Sequence, residues 1–97
     1  MKTILVKQLC SNTFSKKNAL FLRNEISKLL KQEESIILDF EGTSKYTTLF
    51  FNFSTGYFIS SLGKEEYDKR ISLKGLSSLG KSMYRASYNN AVIKEAF

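Results

Sequence analysis

The sequence predicts an α/β domain whose helices pack on a parallel or mixed sheet. Three observations lead to this class. Ser35-Ile36-Ile37-Leu38-Asp39-Phe40-Glu41-Gly42 is a short apolar run closed by a turn signal, the pattern of a buried central strand. The segments before and after it have helical periodicity. Strands and helices alternate along the whole chain as β-α-β-α-β-α, which favours parallel pairing through right-handed crossovers.

Each element has its own warrant. Ile4 and Val6 alternate with Leu5 and Lys7, so residues 2–8 read as a strand. Ser11-Asn12-Thr13 is a turn cluster, and Ser15 is a good helix N-cap, with Phe14 before it and Ala19 placed as a hydrophobic staple. Ala19, Leu22, Ile26, Leu29 and Leu30 share one face of a helix over residues 16–33, with Lys and Arg mostly elsewhere. The central strand, residues 35–40, follows almost directly. Residues 42–46 are a loop.

Thr47 and Thr48 then open a second helix over residues 48–62, apolar around much of its circumference. Gly56 in its middle costs about 1 kcal/mol against Ala, which points to close packing there. Gly63 suits the C-cap. Lys64-Glu65-Glu66-Tyr67-Asp68 reads as a polar connection, and residues 70–74 as a strand with one wet face. Ser77 or Ser78 caps a last helix, on which Leu79, Met83, Ala86, Asn90, Ile93 and Phe97 share a face and Tyr84, Tyr88 and Asn89 lie off it.

Composition narrows function by exclusion. A chain of 97 residues with 42% apolar residues makes a single domain, residues 1–97, with a modest core. There is no His, so the commonest general base and metal ligand are missing. The one cysteine, Cys10, excludes an internal disulfide and a Cys-rich zinc site, and reads as a small buried hydrophobe. No catalytic set, metal site or cofactor motif is spaced along the chain; Ser54-Thr55-Gly56 lies inside a helix and lacks a phosphate-loop context. The expectation is a protein that is not an enzyme. Met1 to Lys7 has a charge after three apolar residues, too short for a signal sequence, and no stretch reaches membrane-spanning length, so a cytoplasmic protein is expected.

The net charge is +6. Residues 1–34 hold seven Lys/Arg and three acids, and residues 35–97 hold eight and six, so the excess is spread rather than blocked. That disfavours a nucleic-acid-binding module, which shows a basic stripe interleaved with aromatics. A preference for an acidic protein face remains.

Three segments in order carry a family resemblance: Phe14-Ser15-Lys16-Lys17-Asn18-Ala19, then Ile36-Ile37-Leu38-Asp39-Phe40-Glu41-Gly42, then Phe50-Phe51-Asn52-Phe53-Ser54-Thr55-Gly56. Gly63 through Tyr67 to Arg70-Ile71-Ser72-Leu73 fits the same pattern. Together they resemble the STAS-like domain family, small bacterial and mobile-element domains related to the STAS domains of anti-sigma factor antagonists. In that wider group a buried strand and a short loop lead to Asp-Ser-Ser-Gly, whose Ser takes a phosphate at the start of the second helix. Those proteins dock on a kinase of the GHKL ATPase type. By that resemblance the signature Asp falls on Thr47 and the phosphoacceptor on Thr48, followed here by Leu49 and Phe50 rather than Ser and Gly.

The resemblance implies a small protein-binding regulatory module that docks through residues 43–51, with Thr48 or Thr47 as candidate phosphoacceptor. The alternative for those two hydroxyls is a plain helix cap. Lys45, Tyr46, Phe51, Ser54 and Phe58 are expected at the partner contact. Six aromatics between Tyr46 and Phe58 exceed what one helical stripe hides, so some should stay exposed for a partner or a homodimer. The family pattern makes Asp39 a structural acid bonding the loop after it, and Glu41 is expected to be a solvated turn residue. A second function reading is a mobile-element inhibitor or accessory protein that binds a larger complex with the same face, without phosphoryl control.

Overall fold

Ile4, Ile36, Leu38 and Ile71 are buried on one side of a three-stranded sheet, and the helices cover that side. The structure is a computed structural model that describes residues 1–96. Its elements are β1 (Lys2–Leu5), α1 (Val6–Leu9), α2 (Lys16–Leu30), β2 (Ile36–Asp39), α3 (Thr48–Phe53), α4 (Thr55–Leu62), α5 (Lys64–Arg70), β3 (Ile71–Lys74) and α6 (Ser78–Ala96). The sheet order is β1-β2-β3, both pairings parallel, with Ile4 opposite Leu38 and Leu38 opposite Leu73. Right-handed crossovers in a 1-2-3 order place both connections on one face. Accordingly α2 packs on α3, and α6 lies across α3 and α4.

Among the described residues, the other face is largely open to solvent. Thr3, Leu5, Ser72 and Lys74 are exposed there, and Ile37 and Asp39 are half-buried. The central strand is therefore buried on one face, not the two its apolar run suggested. The topology, which the run cannot express, sets this.

Other boundaries also differ from the sequence reading. β1 ends at Leu5 because its neighbour β2 ends opposite it, at Asp39, so residues 6–8 have no ladder to join. They curl instead into the single turn of α1, closed by the Cys10 N–H on the Val6 carbonyl at 2.8 Å. Ser15 caps α2 as expected, its hydroxyl accepting from the Asn18 N–H at 3.2 Å. The helix stops at Leu30, three residues short of the expected end. Its last carbonyls turn toward Arg70, which donates to Leu30 (2.6 Å), Glu33 (3.0 Å) and Glu34 (3.0 Å). This guanidinium satisfies acceptors that a helix end leaves without partners.

The helix expected over residues 48–62 is broken in two. Ser54 sits between α3 and α4 at φ −99°, ψ −89°, and its hydroxyl donates to the Phe50 carbonyl at 2.7 Å. Such back-bonding bends helices. Lys64 to Asp68, expected as a polar connection, are part of α5, which also takes in Arg70, expected as the first residue of the strand. Its signal was present: Glu65 and Glu66 in the first turn, Lys69 and Arg70 in the last, with one inward residue, the buried Tyr67.

α6 is capped by Ser77, which accepts from the Gly80 N–H at 3.2 Å. Its inward face was misassigned. Leu79, Ala86, Asn90 and Ile93 are exposed, and Phe97 lies outside the described residues. Gly80, Ser87 and Ala91 are buried instead, with Met83, Tyr84, Tyr88 and Val92 packed beside them. Small residues let α6 approach closely. Ser87 donates to Asn52 Oδ1 at 2.6 Å, and its Oγ lies 3.6 Å from where a Cβ on Gly56 would stand.

A tyrosine chain ties α5 to α6. The Tyr67 and Tyr84 hydroxyls meet at 2.7 Å, and Tyr88 donates to both Asp68 oxygens at 2.9 and 3.0 Å. Burial pushes Tyr84 up to about 12 and Tyr67 well above its ordinary value, because a phenolate loses its hydration there.

Two outcomes follow from this packing. A Cβ on Gly80 would stand 2.8 Å from the ring of buried Tyr46. Ala there gains at most about 1 kcal/mol of helix propensity against about 1–3 kcal/mol of overpacking. Gly80→Ala should lower Tm by thermal melting, opposite in sign to a Gly→Ala change at an open helix position. Second, the folded state keeps the Tyr84 proton between 10 and about 12 while the unfolded chain loses it. Its contribution is whole below 10 and is lost as pH rises toward 12. Denaturant midpoints should fall across that range, and Tyr84→Phe should shrink the fall.

Candidate functional site

The carboxyl ends of β1 and β2 open on a cleft of about 300 Å³, the place where parallel sheets bind their ligands. Its walls are Lys7 and Cys10 to Phe14 on one side and Gly42 to Lys45 on the other. Both loops are stiff. Asn12 Oδ1 accepts from the N–H groups of Phe14 (3.1 Å) and Ser15 (2.9 Å), and Asn18 reaches back to Ser11 by its side-chain amide. Opposite, the Thr43 hydroxyl meets the Phe40 carbonyl at 2.5 Å and the Tyr46 hydroxyl at 2.6 Å. Thr13 and Tyr46 form a parallel bridge, and the Thr13 hydroxyl donates to the Lys45 carbonyl. The two walls are thus stitched together by main chain.

Gly42 is needed at this corner. It has φ +84°, and a Cβ there would stand 2.8 Å from the Lys7 side chain, which lies over the loop. Lys7 and Lys45 are the charged residues of the lining, and neither pairs with a carboxylate among the described residues. Cys10 closes the floor with its thiol on the Asn18 carbonyl at 3.5 Å; burial pushes it up to about 11, so it stays a thiol and is no nucleophile near neutrality. The arrangement offers ammonium and hydroxyl donors. It can hold an anionic or acidic group. Among the described residues no group of three His, Cys, Asp or Glu side chains is placed to hold a metal ion. No helix among them is long and apolar enough to cross a membrane.

The two candidate hydroxyls have different environments. Thr47 is the N-cap of α3: its hydroxyl accepts from the Phe50 N–H at 3.1 Å and donates to the Phe14 carbonyl at 2.9 Å. Thr48 is the first residue of α3 and is exposed. Asp39 bonds the loop after it, accepting from the Glu41 N–H at 3.0 Å, and Glu41 is exposed.

The expected partner contact needs correction. Lys45 is exposed, but Tyr46, Phe51, Ser54 and Phe58 are buried. Phe51 and Ser54 have no exposed surface at all. The packing of α3 is the reason: α2 and α6 both lie against it, and α6 also covers α4, so more than one stripe of residues 46–58 is buried. What stays outside is Leu49 and Tyr57, with Phe53 half-buried. Lys7 and residues 11–14 were missed as site residues. The Ser-Asn-Thr turn gave no hint that Thr13 would bridge to Tyr46.

Residues 19–81 match the family model of a STAS-like domain of unknown function (DUF4325). That span contains β2, β3, the loop after β2 and the Thr47-Thr48 pair. No curated protein and no solved structure matches the chain.

The hydrogen bonds separate the roles of the two threonines. Thr47→Ala should lose a cap and about 1 kcal/mol of stability. Thr48→Ala should stay within about 0.5 kcal/mol of the parent, as at an ordinary surface position. Denaturant titrations of the two variants measure the difference.

Proposed function

The chain belongs to the STAS-like domain family, and from that footing we propose that it is a regulatory module acting by binding another protein rather than by catalysis. The docking edge is the loop after β2 with the start of α3, residues 43–51. The observation that carries this reading is the exposed residue Thr48, beside a hydrogen-bonded loop and a cleft whose charges are both positive. By the resemblance, it falls at the position of the wider STAS group's phosphoacceptor. The partner this resemblance suggests is a GHKL-type ATPase kinase. In the transfer, the Thr48 oxygen forms a bond to the γ-phosphorus of ATP, the bond to ADP breaks, and the hydroxyl proton leaves to a kinase base. A phosphate there adds roughly −1.5 to −2 charge to a positive edge. An acidic partner would then be repelled.

The second reading, an inhibitor or accessory protein without phosphoryl control, draws support from the residues after Thr48. Leu49 and Phe50 replace the Ser and Gly of the signature, and Thr47 replaces its Asp.

One experiment separates these readings. A photo-crosslinking residue is placed at Ser44, and separately at Lys31 on the far end of α2 as a control, in cells that make the protein. The reading expects one discrete adduct from Ser44 and none from Lys31. Intact mass then reports phosphate on the wild type and none on Thr48→Ala, and Thr48→Glu weakens the adduct. Adducts from both positions, or from neither, would refute docking at this edge. A discrete Ser44 adduct without any phosphate favours the second reading.

A further inference from the structure

We propose that the face built by residues 11–24 and 42–63 receives an acidic amphipathic helix of the partner protein. This rests on the protein-binding reading and adds the partner's chemistry. The charge argument comes first. The two segments carry Lys16, Lys17, Arg23 and Lys45, and none of the chain's nine acids. They meet in space, since α2 packs on α3.

An apolar stripe runs along the same seam. Leu49, Phe53 and Tyr57 follow one another at intervals of four residues; Leu49 and Tyr57 are exposed and Phe53 half-buried. Phe14, also exposed, is tied to the start of α3 through the Thr47 hydroxyl on its carbonyl. Two cations of α2 lie on this stripe: Lys16 Nζ is 4.7 Å from the Phe53 ring centroid, and the Arg23 guanidinium 3.9 Å from that of Tyr57. Neither pairs with a carboxylate among the described residues. Positive charge is thus fixed beside apolar surface and left without an acidic partner among the described residues.

The complement is a helix with an apolar stripe flanked by carboxylates. Leu49 and Phe53, four residues apart on α3, are about 6 Å apart along its axis, the spacing at which a partner helix repeats its own anchors. A second copy of this chain fits poorly, because a two-fold contact would set these cations against themselves. Single-stranded nucleic acid needs free ring faces for stacking, and the rings of Phe53 and Tyr57 already carry cations.

The test is a charge swap read by fluorescence anisotropy. The probes are a labelled helical peptide of about 18 residues, with Leu and Ile every third or fourth position and Glu elsewhere, and its twin with Lys for Glu. A thymidine oligonucleotide of about 20 nucleotides is the third probe. The wild type should bind the Glu peptide at least about tenfold more tightly than the Lys peptide. Lys16→Glu/Arg23→Glu should reverse that order, a reversal that lost folding cannot produce. Leu49→Gln, at an exposed position, should weaken the Glu peptide by about tenfold while circular dichroism stays unchanged. Equal binding of both peptides, no binding, tighter binding of the oligonucleotide, or a wild-type dimer by light scattering would each overturn the proposal. If the swap fails while the Ser44 adduct persists, the acidic helix is wrong and the protein-binding reading stands. If the Ser44 adduct is absent, the reading beneath it has failed.

Discussion

The ring of Phe51 is the contact on which the rest of the structure depends. Four aromatic rings surround it: Phe40 at 5.8 Å, Phe50 at 5.6 Å, Tyr46 at 6.1 Å and Tyr84 at 5.5 Å between centroids. Those rings come from the end of the central strand, the site loop, α3 and α6. One side chain therefore joins the sheet, the loop at its carboxyl end and the outermost helix. Truncating a buried Phe costs about 3–5 kcal/mol, a large share of the 5–15 kcal/mol that holds a typical domain. Here the loss would also free Tyr46, and with it the hydroxyl contact to Thr43 and the bridge to Thr13 that shape the cleft. Core and candidate site are thus one mechanical unit. The edge at residues 43–48 is presented by a stiff loop, and a stiff loop gives up little entropy when it docks.

The uncovered sheet face needs its own account. Parallel sheets are usually covered on both sides. In this chain the outward positions are Thr3, Leu5, Ile37, Asp39, Ser72 and Lys74, set in two rows by the register. Most are polar, and Lys74 and Asp39 are opposite-charge neighbours on adjacent strands, with Nζ and Oδ2 4.0 Å apart. The face is therefore solvated rather than adhesive. Most exposed large apolar residues lie instead away from this face, at Phe14, Phe21, Leu49, Tyr57, Leu79 and Ile93, with Leu5 the one on the sheet face.

How much of this was legible follows from what a local pattern can carry. The strand-helix order and the Ser15 cap are local, and each was readable; the structural role of Asp39 came with the family resemblance. The family resemblance too was readable from three segments in order. The break at Ser54 was not, because serine in a helix gives no sign whether its hydroxyl turns back to the main chain. The misplaced contact set, Tyr46, Phe51, Ser54 and Phe58, stems from packing: α2 and α6 both cover α3, and a local pattern does not say how many neighbours will pack on a helix. The α6 face failed for another reason. Its buried side is made of Gly80, Ser87 and Ala91, which carry little hydrophobic signal, while exposed Leu79 and Ile93 carry much. Close approach selects small residues, and a search for large apolar ones finds the wrong side. The cleft is hidden for a third reason: its walls are about thirty residues apart in sequence and meet through main-chain bonds, which no side-chain pattern records.

The two threonines show why a switch on this domain would act through surface charge rather than through shape. The Thr47 hydroxyl is doubly engaged, holding the start of α3 and the Phe14 carbonyl. A modification there would remove a cap and loosen α2 from α3, so its cost would fall on the fold. Thr48 is one residue further along and points its exposure outward, with the cap beside it intact. Beneath it, Phe50 and Phe51 are fully buried and fix the helix from inside. A charge on exposed Thr48 would thus have little packing to displace, and would act first through its field. What it changes is the field over Lys45 and the acid-free segments around it. That effect falls off over about 8–10 Å at physiological salt, a range that covers a docked partner's nearest residues and little more. A phosphate on Thr48 would therefore gate one contact locally, through its charge.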